Sequence, residues 1–86
     1  MRLNRDRMNN ADPRTVANAP MAVVDRLQAF PAEAQAMGAA VAFLILAEQG
    51  GIPAQDLFTA TKNLMNNQDG IRPEFAALSE YVRNEL

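Results

Sequence analysis

The chain has 86 residues, a formal charge of −2, no cysteine and no histidine. A length of this order makes one small domain, with a smaller buried fraction than a longer chain achieves. The missing side chains exclude disulfide staples, thiolate metal sites, cysteine nucleophiles and imidazole general bases, and they favour an intracellular setting over a secreted one.

The charge is unevenly distributed. Residues 1–30 carry five arginines against three aspartates, and residues 31–86 carry three basic against seven acidic groups. A mildly basic arm therefore precedes an acidic body, which repels a phosphate backbone unless its cations gather on one face. The arm, MRLNRDRMNNADPRTVANA, is polar and lacks a sustained apolar period, so residues 1–19 are read as flexible, with Asp12-Pro13 offering a cap and a short first turn. No apolar stretch with a small-residue cleavage site follows Arg2, Arg5 and Arg7, so no secretory leader is expected.

The first sustained helix is expected to open at Pro20 and stop at Pro31, with Met21, Val24, Leu27 and Phe30 on its apolar face and Val23 beside them. The second spans about Ala32 to Gln49, with Glu33 in the first turn, where the helix dipole favours a negative charge. It contains the longest apolar run, AMGAAVAFLILA, whose twelve residues fall short of the roughly 20 that span a bilayer. Met37, Val41, Leu44 and Ile45 fall on one face, Phe43 and Leu46 point elsewhere, and no charge interrupts Ala34 to Ala47. A helix that is apolar all round has to be covered all round. Small residues along it permit close approach of a second copy, and Gly38, Ala39, Ala42, Phe43 and Leu46 are the expected oligomer interface.

Gly50 and Gly51 supply the left-handed conformation that ends such a helix. Pro53 opens a third helix to about Asn66, with Leu57, Thr61 and Leu64 inward and Phe58 and Met65 adjacent. NNQDG has turn chemistry, and a fourth helix runs from Pro73 with Phe75, Leu78, Val82 and Leu86 as its stripe and Tyr81 on its flank. The methionines Met21, Met37 and Met65 lie on these apolar faces and are assigned to the core. The expected architecture is all-α: a four-helix domain over residues 20–86, a central apolar helix and a flexible N-terminal arm.

Ala47, Gly51, Ile52 and Leu57 match the spacing of a helix-turn-helix, and Gln55, Thr59, Lys62 and Asn66 form an outward polar row on the helix after the turn. Any glycine-terminated helix followed by an amphipathic one produces the same match, and the row holds one cation. Asp69-Gly70 resembles part of a calcium loop, but in that register Met65 and Ala76 occupy ligand positions and cannot coordinate. The single serine, Ser79, has no histidine to activate it, and Glu74, Glu80 and Glu85 read as solvated. No enzyme activity, cofactor, metal or membrane association is expected.

From AQAMGAAVAFLILAEQGGIPAQDLFTATKNLMNN through RPEFAALSEYVRNEL, the chain resembles small helical proteins of unknown function encoded by tailed bacteriophages. The resemblance covers about fifty residues and carries no catalytic motif. It implies action in the cytoplasm of an infected bacterium and a regulatory role on a host protein. The sequence reading is a homodimeric, non-enzymatic binding protein whose polar row meets a protein partner, with DNA binding as the alternative.

Overall fold

The computed structural model describes residues Met1–Leu86. The fold is all-α: helices α1 (Arg5–Asn9), α2 (Pro13–Leu27), α3 (Ala32–Gly50), α4 (Ala54–Met65) and α5 (Pro73–Glu85), with a small antiparallel hairpin of β1 (Asn66–Asn67) and β2 (Gly70–Ile71) between the last two.

Helix formation begins earlier than the apolar periodicity indicates. Asn4 caps α1, its Oδ1 accepting from the Arg7 N–H at 3.0 Å. Asp12 caps α2 in the same way on the Arg14 N–H at 3.0 Å, with Pro13 in the first turn. Pro20 lies inside α2 rather than at its start. It costs the helix one N–H, and the capped turn upstream holds the register across that gap. The N-terminal segment is therefore not a loose arm. The Leu3 N–H donates to the Gly50 carbonyl at 3.0 Å, and Arg5 pairs with Asp56 at 2.9 Å, which lays α1 along α4. The expected fourfold count becomes five helices because these polar caps, and not hydrophobic spacing, start the first two.

The α3–α4 junction is a Schellman turn. The Ile52 N–H reaches the Ala47 carbonyl at 3.1 Å, the Gly51 N–H reaches that of Glu48 at 3.2 Å, and Gly51 sits at φ +77°. Ile52 and Ala47 close over this turn and are among the few side chains that solvent does not reach. After α4, Asn66 and Asn67 pair with Ile71 and Gly70, and Asn67 Oδ1 accepts from the Asp69 N–H at 2.8 Å, so the expected loop is a two-residue hairpin. Arg72 then turns back, its Nε donating to the Leu64 carbonyl at 2.8 Å at the end of α4, where a cation is favoured.

α2 packs on α5 and α3 on α4. Gln28 donates to the Tyr81 hydroxyl at 2.7 Å, and that hydroxyl donates to Asp25 at 3.3 Å, clasping the two outer helices. Desolvation of Tyr81, followed by the Asp25 carboxylate, raises its pKa above the ordinary 10.0. The Cα envelope measures 34 × 31 × 18 Å, about two helix layers thick. Such a slab has little interior: Ala47, Ile52 and Phe75 are its only buried hydrophobic residues.

Candidate interaction surfaces

α3 follows from its sequence in an unexpected way. Gln35, Ala39, Phe43, Ala47 and Gly50, spaced four, four, four and three, form the ridge that turns toward the rest of the chain. Small residues at 39, 47 and 50 let neighbouring segments approach. Gln35 Nε2 donates to the Leu27 carbonyl at 3.0 Å, and the Leu3 side chain rests on Gly50 where a Cβ would stand 2.6 Å from its Cδ1. The rest of the helix is bare. Met37 is 69 % exposed, Val41 53 %, Leu44 56 %, Ile45 52 % and Leu46 52 %. Within one chain, therefore, the cover reaches one strip of α3 only, and the other short helices do not enclose it.

The expected oligomer residues differ in exposure. Gly38, Ala42 and Leu46 are exposed, whereas Ala39 and Phe43 are half-buried against their own fold. Ala39 lines a groove of about 440 Å³ with Val24, Leu27, Ala36, Val82 and Leu86. The exposed seam is Ala34, Met37, Gly38, Val41, Leu44 and Ile45; of these, periodicity places Met37, Val41, Leu44 and Ile45 on one face and assigns them to the core, whereas Gly38 belongs to the expected interface. A charge-free stretch signals that a helix needs a partner without saying whether the partner is in the same chain. The same correction applies to other core assignments: Met21, Met37, Val23, Phe30 and Phe58 are exposed, and Leu86 is 40 % exposed.

The second surface is the outer side of α4. Gln55, Thr59, Lys62 and Asn66 are all exposed and stand in one row. Asn66 lies just past α4, in β1, and the side-chain hydrogen bonds of the row are local: Gln55 Nε2 to Thr59 Oγ1 at 3.4 Å and Asn66 Nδ2 to the Lys62 carbonyl at 2.8 Å. No side chain of the row reaches a helix other than α4. Phe58, 51 % exposed, flanks the row, and Ile71 of the hairpin is 46 % exposed. An aromatic ring beside adaptable polar groups has the make-up of a protein-recognition patch.

No family model, curated protein or solved structure matches this chain. No three carboxylates gather as a metal site would require. No single helix is long and apolar enough to cross a membrane, and α3 and α4 together are bent by 112°. A cleft of about 430 Å³ between α1 and α4 is lined by Met8, Asn9, Asn63 and Arg72, but the Arg72 Nε is already committed to the Leu64 carbonyl, and the lining holds no carboxylate or other general base.

Proposed function

We propose that this protein is a non-enzymatic regulatory binding protein that acts on another protein, with the α4 row Gln55, Thr59, Lys62 and Asn66 and the flanking Phe58 as its target-facing edge. The observation that carries this reading is the extent of bare apolar surface. Large side chains stand exposed on α2, α3 and α4, far beyond the scattered single residues of an ordinary surface. The resemblance to phage-encoded helical proteins agrees with it and adds a setting, the cytoplasm of an infected bacterium, with a host protein as target.

A tagged protein expressed in a bacterium tests the reading by affinity capture, comparing the wild type with Phe58→Ala and with Gln55→Ala/Lys62→Glu. One protein retained in stoichiometric amount by the wild type and lost by both variants, at unchanged helical circular dichroism, is the expected result. Equal retention by all three, or no enrichment, would refute it.

A second reading is supported by the α3–α4 geometry. The 112° bend, the three-residue turn and the sealed pair Ala47 and Ile52 have the form of a helix-turn-helix, with α4 as the reading helix. Arg5 neutralises Asp56 beside it. The net charge of −2 and the single cation in the row weigh for a protein target. Fluorescence anisotropy with mixed duplex DNA at low salt separates the two, and micromolar, salt-sensitive binding lost in Lys62→Glu would favour DNA.

A further inference from the structure

The chain as a whole exposes more surface than its mass predicts, by an amount of the size of half an obligate interface. A monomer of 9.4 kDa exposes about 5,000 Å² by the usual scaling of surface with mass. This chain exposes 6448 Å². The excess, roughly 1,400 Å², is more than the ~800 Å² each partner gives to a standard interface and falls in the obligate homodimer range. The radius of gyration agrees, at 13.3 Å against about 12 Å for a globular chain of this length.

We infer that a second copy of this chain covers the bare seam, the two α3 helices packing antiparallel and crossing at Val41; this rests on reading the bare surface as an interface. Ala34, Gly38, Val41, Ile45 and Glu48 follow the alternating four-three spacing of a left-handed helix pair, with Met37 and Leu44 beside them. A two-fold axis at Val41 sets Gly38 opposite Leu44 and Met37 opposite Ile45. The space over Gly38 is open, since a Cβ built there meets nothing within 4 Å, and the partner's Leu44 fills it. A parallel pair would instead set Gly38 against Gly38 and Glu48 against Glu48. Antiparallel packing brings Glu48 to the start of the partner's α3, where the dipole favours a carboxylate and no side chain caps the first turn. A bilayer is a poor occupant: α3 has no lysine or arginine, its ends carry Glu33 and Glu48, and its opposite ridge is packed against protein instead of water.

The cysteine-free chain suits a cross-linking test. Val41→Cys, Met37→Cys, Ile45→Cys and, as a control on the exposed end of α5, Asn84→Cys are oxidised mildly, alongside sedimentation of the wild type. Expected are a mass of twice the protomer, a Val41→Cys disulfide dimer, and a disulfide when Met37→Cys is mixed with Ile45→Cys. Met37→Cys alone and Asn84→Cys remain uncrosslinked. Leu44→Glu, at an exposed position that leaves the protomer fold intact, raises the dissociation constant by about 100-fold or more, because it strikes the seam twice. A monomeric wild type without the Val41→Cys disulfide overturns the inference, as does a Met37→Cys homodisulfide, or flotation with vesicles in place of dimerisation. A monomer that still captures its target through α4 overturns this inference alone, whereas a dimer that captures nothing overturns the proposed function alone.

Discussion

Replacing Gly50 by alanine sets two effects of similar size against each other. Gly50 is the last helical residue of α3, and positive φ is confined to Gly51 and Gly70, so the substitution meets no backbone strain. On propensity alone it should stabilise α3 by up to about 1 kcal/mol. The new Cβ, however, would lie 2.6 Å from Leu3 Cδ1, 2.7 Å from its Cγ and 3.3 Å from Met1 Cε. Those are ends of flexible side chains, so the N-terminal segment moves and α3 does not. Lifting the half-buried Leu3 forfeits about 1 kcal/mol of burial, and its N–H bond to Gly50 loosens with it. The expected outcome is global stability unchanged within about 1 kcal/mol, together with faster hydrogen exchange over residues 1–10 and faster tryptic cleavage after Arg5 and Arg7. Exchange and cleavage identical to the wild type would refute the docking of the N-terminal segment on α3. A loss of several kcal/mol would show that this segment supports the whole fold.

Phe75→Ala removes the largest of the buried side chains and should cost about 3–5 kcal/mol, enough in so small a domain to abolish a cooperative thermal transition by circular dichroism. Gly51→Ala forces an L side chain into φ +77° and should cost about 1–2 kcal/mol, read as a lowered thermal midpoint. Absorbance titration of the single tyrosine should give a midpoint above 10.0. Because the folded state holds this proton more tightly, the clasp's contribution is complete below the unfolded pKa and is lost as pH rises through the folded one. Tyr81→Phe should flatten that alkaline loss, and an unchanged profile would remove Tyr81 as its source.

The helical class and most boundaries are legible because proline and glycine punctuate the chain: Pro31, Gly51, Pro53 and Pro73 stand where helices stop or start. The first two helices are less legible, since Asn4 and Asp12 act through single hydrogen bonds that leave no periodic trace. Pro20 misleads because the rule that proline favours a first turn is statistical, and a well-capped α2 carries it in its interior. The candidate surfaces divide in the same way. The row of α4 is legible because polar residues at helical spacing have one plausible side to face. The seam of α3 is not, because Met37, Val41, Leu44 and Ile45 follow one hydrophobic pattern whether the cover is the same chain or another.

The scarcity of interior in this slab has a consequence for the protein's lifetime. A protomer that encloses just Ala47, Ile52 and Phe75 among its apolar side chains has little to resist transient opening, and proteases act on opened chains. Pairing of the kind inferred for α3 would withdraw protomers from that pool by mass action. Dose and persistence would then be linked, the chain being cleared faster at low expression than above the pairing threshold. The bare helix would in this way give the cell that makes the protein a delay and a switch-on level without any dedicated regulator.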